Sequence, residues 1–95
     1  MRRIDKKIKE FMDGLLAESG DGWGVFISDQ YVEAAEIFER ISKEQGTDYT
    51  KTIRNDGKMI VYSDGEESAT FTDKESHQNG HLSGLLIYTD VVVVF

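Results

Sequence analysis

Two histidines four positions apart, His77 and His81, stand in a polar segment with Asp73 and Glu75. Imidazole with carboxylate is a donor set that zinc and other divalent ions take from proteins. A spacing of four aims both rings at one ion only on a helix, and Asn79-Gly80 between them breaks helices. The segment 73–84 therefore reads first as a polar loop. His77 and His81 are candidate metal ligands only if that loop folds round an ion, which costs ordering entropy. Aspartates also end two apolar stretches, VYSDG at 61–65 and IYTD at 87–90. Asp64 and Asp90 could share a magnesium ion for hydrolysis if their strands lay side by side. Asp-Gly after a strand is more often a hairpin turn. Ser63, Ser68, Ser76 and Ser83 lie in no nucleophile elbow. No glycine-rich loop ending in Lys-Ser or Lys-Thr is present to cradle a phosphate. Cysteine is absent, which removes thiolate chemistry and cysteine-ligated zinc. No residue is thus singled out as catalytic, and no cofactor is expected.

Charge is the stronger signal. The chain of 95 residues carries a formal net charge of −7. Arg2, Arg3, Lys6, Lys7 and Lys9 crowd its first nine positions, so that segment, with Asp5, is +4 and the remainder −11. Such a body repels phosphate backbones, which are bound through clustered Lys and Arg. It suits a basic protein instead, because complementary charge speeds association and rejects wrong partners. The candidate contact residues are Glu66, Glu67, Asp73 and Glu75 around the second hairpin and its loop, then Glu33 and Glu36 on a helix face. Tyr62 or Tyr31 is the expected aromatic anchor, the kind of side chain that carries much of an interface's binding energy.

The elements that would position these residues follow from periodicity. Ile4, Ile8, Phe11, Met12, Leu15 and Leu16 recur at three- and four-residue spacing and predict an amphipathic helix, closed near SGDG at 19–22. WGVFIS at 23–28 predicts a buried strand. Ser28 or Asp29 is the expected cap of a second helix over 30–45, whose apolar face holds Ala34, Ala35, Phe38 and Ile41. Asp56-Gly57 and Asp64-Gly65 predict a meander of strands 49–54, 58–63 and 67–72. The segment 85–95, ending VVVVF, is apolar on both faces and lacks the charge that protects an edge. It is expected at the centre of the sheet or, failing enough strands, covered by a second subunit.

The GWGVFI stretch (22–27) with its aspartate-ended strands resembles the glycine-tryptophan strand of ribonuclease H. That resemblance would imply a metal-dependent nuclease. In that family the Thr-Asp-Gly strand directly precedes the tryptophan strand, whereas here the order is reversed.

The expected architecture is α+β in a single domain, 1–95. Two helices pack on one face of a four- to five-stranded, mostly antiparallel sheet, in the order α-β-α-β-β-β-β, with the C-terminal strand central. The expected function is a non-catalytic acidic interaction protein that binds a basic protein partner. Inhibitors, immunity proteins and DNA mimics of phage or bacterial conflict systems are of this type. One alternative is a small divalent-metal-dependent hydrolase. Another is a homo-oligomer, minimally a homodimer, assembling through the Val91–Phe95 strand. Neither direct nucleic-acid nor membrane binding is expected. No apolar run reaches the length of a membrane span and the N-terminus lacks an apolar signal core, so the expected location is cytoplasmic.

Overall fold

The computed structural model describes residues 2–17, 23–77 and 91–95. Helix α1 (Arg3–Ala17) and helix α2 (Tyr31–Glu44) form where the apolar stripes foretell them. Ile8, Phe11 and Leu15 of α1 are fully buried, as are Ala34 and Phe38 of α2. Gln30, rather than Ser28 or Asp29, occupies the N-cap of α2 and offers no side-chain cap. Ser28 Oγ instead accepts the Gln30 N–H at 3.0 Å, which fixes the turn one step earlier. At the other end Thr47 N–H reaches the Ser42 carbonyl at 2.9 Å and Gly46 N–H the Lys43 carbonyl at 3.1 Å. With Gly46 at φ +76 this is a Schellman stop, a geometry that a residue with a Cβ adopts at a cost.

Among the described residues five strands make one mixed sheet: β1 (Trp23–Ile27), β2 (Thr50–Arg54), β3 (Met59–Ser63), β4 (Ser68–Thr72) and β5 (Val91–Val94), in the spatial order β2-β3-β4-β1-β5. The meander β2-β3-β4 is antiparallel as expected. β1 then runs parallel to β4 on one side and to β5 on the other, so the sheet is mixed rather than mostly antiparallel. A third, short helix α3 covers 74–77 in the segment expected to be loop. Among the described residues no helix is long and apolar enough to cross a membrane.

One expectation is overturned. β5 is the last strand of the described sheet, and β1 and β4 hold the centre. The reason lies in the two faces. Gly24 and Phe26 of β1 pair in register with Ala69 and Phe71 of β4 beneath the helices, while Val25 and Ile27 pair with Thr70 and Thr72 on the far side. All eight side-chain positions are buried. Along β5 the same alternation leaves Val91 and Val93 half-buried against the core and Val92 and Val94 exposed at 53% and 66%. A run of identical valines conceals that alternation. The expected strand began at 85, but residues 85–90 lie outside the described residues.

Phe71 is the hub of the core, with its ring 5.1 Å from Phe38, 5.6 Å from Phe11 and 5.7 Å from Phe26. Burying each of these rings stabilises the fold by roughly 2–3 kcal/mol. Edge-on and tilted ring contacts add to that. Gly24 lets α1 approach β1: a Cβ there would lie 2.6 Å from Leu15 Cδ2 and 2.7 Å from Phe11 Cε1.

Candidate functional site

The acidic residues expected to form one patch occupy two ends of a strand. Asp64, Glu66 and Glu67 precede β4, and Asp73 and Glu75 follow it. An extended five-residue strand separates them by about 17 Å. A patch that joins all five on one contact surface is therefore not what the fold builds.

Each end begins with an aspartate committed to the backbone. Asp64 Oδ1 accepts the N–H groups of Glu66 at 2.9 Å and Glu67 at 2.7 Å, and Gly65 completes the turn at φ +97. These bonds favour the ionised form, so the Asp64 carboxyl lies below its ordinary range. Asp73 Oδ1 accepts the Ser76 N–H at 2.7 Å and caps α3, which lowers its carboxyl in the same way. In the magnesium reading Asp64 would bind the ion with a carboxylate whose Oδ1 the turn already engages. Its partner in that reading, Asp90, lies outside the described residues. Of the two candidate histidines, His77 is half-buried in α3, and its backbone N–H donates to the Asp73 carbonyl at 3.0 Å. His81 lies outside the described residues. Among the described residues no group of three or more His, Cys, Asp and Glu side chains is arranged to hold a metal ion.

The other expected contact residues divide into exposed and occupied. Glu66, Glu75 and Glu36 are exposed and make no ion pair among the described residues. Glu33 pairs with Arg2. Glu67 is 6% exposed, and its Oε1 accepts the Tyr49 hydroxyl at 3.0 Å. Burial pushes the Glu67 carboxyl up and outweighs the stabilising bond from Tyr49. Tyr62, at 3% exposure, is a core side chain whose hydroxyl donates to Glu39 Oε2 at 3.0 Å. It cannot serve as an exposed anchor while it holds that position. Tyr31 is half-buried and pins the start of α2 to the β2–β3 turn through the Gly57 carbonyl at 3.1 Å.

Sequence reasoning missed the residues between α2 and β2. Glu39 takes the Tyr62 hydroxyl, then Lys43 at 3.4 Å and Lys51 at 3.6 Å. The Tyr62 hydrogen bond is the main cause that holds the Glu39 carboxyl low. Burial first, and their carboxylate partners second, push the phenols of Tyr49 and Tyr62 well above the usual range. Both phenols remain protonated donors at neutral pH. Elsewhere Asp5 is flanked by Arg2 at 3.5 Å and Arg40 at 3.4 Å, which ties α1 to α2. Glu39–Lys43 and Arg2–Asp5 are local pairs, four and three residues apart, whereas Glu39–Lys51 and Asp5–Arg40 join residues distant along the chain. Comparison with protein-family models, with curated proteins and with solved structures gave no match.

Proposed function

We propose that the chain is a non-catalytic interaction protein that presents acidic surface to a basic protein partner, as inhibitors, immunity proteins and DNA mimics do. A cytoplasmic location goes with that reading. The observation that carries it is how the charges are spent. Arg2, Arg40, Lys43 and Lys51 all engage carboxylates of the same chain. Among the described residues Glu36, Glu44, Asp48 and Glu66 are exposed and make no ion pair; exposed Arg3, Lys6, Lys9, Arg54, Lys58 and Lys74 make none either, and the net charge of −7 leaves the surplus on the acidic side. Asp48, just before β2, shares an end of the sheet with Asp64 and Glu66, because Thr50 pairs with Ser63. That end supports the contact surface better than the loop following β4. Unpaired carboxylates of this kind steer a basic partner from a distance and set its orientation.

The test is capture of partners on tagged protein from its native cells at low salt, repeated at about 0.5 M salt, where charge is screened within a few ångströms. One basic protein, held stoichiometrically and released by salt, is the expected result. Recovery of the chain alone under both conditions would overturn the reading. A second reading rests on Val92 and Val94, whose exposure suits assembly of copies through β5. It requires a dimer that dissociates on dilution.

A further inference from the structure

A small pocket opens between the C-terminal half of α2 and β2, with Glu39, Ser42, Asp48, Tyr49 and Tyr62 in its walls. Its volume is ≈ 80 Å³. Cofactor and drug-sized sites run from about 300 Å³ upward, so this one has room only for a single small head group. Ser42 is 3% exposed, and its Oγ is buried with no hydrogen-bond partner. Buried hydroxyls in native proteins are nearly always satisfied, so one with no partner among the described residues, on a residue that lines a pocket, marks a place where a small shift lets another group complete the bond.

The chemistry of the walls selects the sign of that group. Glu39 and Asp48 line the pocket together with Lys43 and Lys51, so its carboxylates are already the resting place of ammonium groups, and Glu67 accepts the Tyr49 hydroxyl beside it. The chain already places two cations on Glu39: Lys43 Nζ lies 3.4 Å from Oε1, and Lys51 Nζ lies 3.6 Å from Oε2 and 6.0 Å over the Tyr62 ring. The Lys51 ammonium comes from the rim, with its side chain 45% exposed, so it can swing into solvent. An aromatic face beside a carboxylate is favourable for ammonium and more so for guanidinium, whose planar fork also has donors to spare for a hydroxyl.

We propose that this pocket receives one arginine side chain of the basic partner, which displaces Lys51 from Glu39 and donates to Ser42 Oγ. The inference rests on the reading of the chain as a binder of basic proteins and names the point on it where a partner's cation is desolvated.

The probe is the capped tripeptide acetyl-Gly-Arg-Gly-amide, titrated into the full isotope-labelled chain and followed by amide NMR. The same peptide with citrulline, the neutral isostere of arginine, is the control. The arginine peptide is expected to shift the amides of Ser42, Lys43, Tyr49 and Lys51, and the citrulline peptide to leave them in place. Glu39→Gln should weaken binding by about tenfold or more, the scale of a lost hydrogen bond to a charged group. Lys51→Met should tighten it, because one resident cation is gone. Ser42→Ala should weaken it without lowering the melting temperature, since the native hydroxyl is unsatisfied. Equal binding of the citrulline peptide, shifts centred on Glu66, or indifference to both Glu39→Gln and Lys51→Met would overturn the proposal. Capture of a basic partner whose affinity ignores these substitutions would sink the pocket and leave the acidic-surface reading intact. Arginine binding at the pocket with no partner captured would support the pocket and count against that reading.

Discussion

The two outer strands of the described sheet are built on opposite principles. β2, TKTIR, is exposed at all five positions and carries Lys51 and Arg54, and it is tied to β3 through a short local turn. Charge on an outer strand discourages pairing with foreign chains. β5, VVVV, carries no charge and is joined in parallel to β1, far away in the sequence. Its hold on the molecule is apolar: Val91 and Val93 pack on the core, Phe95 lies 6.4 Å from Phe26, and the Phe95 N–H reaches the Ile27 carbonyl at 2.8 Å. One side of the sheet is secured by turn chemistry and ion pairs, the other by shape. The first tolerates substitution and responds to pH and salt, whereas the second should respond to volume.

The sharpest way to break this contrast is Gly24→Val. A branched side chain there meets Leu15 and Phe11, both fully buried, and should cost about 3 kcal/mol as overpacking. Urea denaturation would show it as a lower midpoint; an unchanged midpoint would mean that shape does not govern the β1–β5 side. Phe95→Ala should cost about 1 kcal/mol, through the lost ring contact with Phe26 and the Arg3 guanidinium 6.0 Å above it. That loss should be insensitive to pH.

On the meander side, Asp64→Asn should cost up to about 1 kcal/mol at neutral pH, because an amide oxygen accepts the two N–H bonds less strongly than a carboxylate. The sign with pH follows from the lowered Asp64 carboxyl. Its contribution is present above the carboxyl's unfolded value and is lost as pH falls through the lower folded one. The variant and the native chain should therefore converge in stability on acidification, and a constant gap across that range would count against the turn's role. Smallest of all is Val94→Lys, on a side chain 66% exposed. Its stability should stay within about 0.5 kcal/mol while self-association on a sizing column falls, and a large loss of stability would show that β5 is not an outer strand.

What the sequence disclosed tracks how local each interaction is. Helices α1 and α2 and both Asp-Gly turns were legible, because their signals lie within a few residues of where they act, whereas α3 was not. The ends of β2, β3 and β4 fall within one residue of those expected. Strand order was not legible. β4, SATFT, looks like a half-polar outer strand, yet Thr72 is fully buried, with its hydroxyl on the Lys58 carbonyl at 2.9 Å. Valine content pointed to the wrong central strand, since β propensity ranks residues and is silent about their neighbours. The same holds at the candidate surface. Glu67 is indistinguishable from Glu66 by composition, and only the approach of Tyr49 across the fold makes one a buried partner and leaves the other in solvent.

The parallel pairing of β1 has a kinetic consequence. The meander can zip up from neighbouring segments, as hairpins do within microseconds. β1 cannot, because Trp23 finds Ser68, and Gly24 finds Val91, only after the intervening chain exists. During vectorial synthesis Val25, Phe26 and Ile27 therefore emerge early and wait unpaired, with the α1 and α2 faces that will cover Phe26 waiting beside them. Non-local closure of this kind slows folding and prolongs exposure of sticky surface. The nascent chain, rather than the finished protein, is then the state that leans most on chaperones, and closure of β5 onto β1 is the late step that ends that dependence.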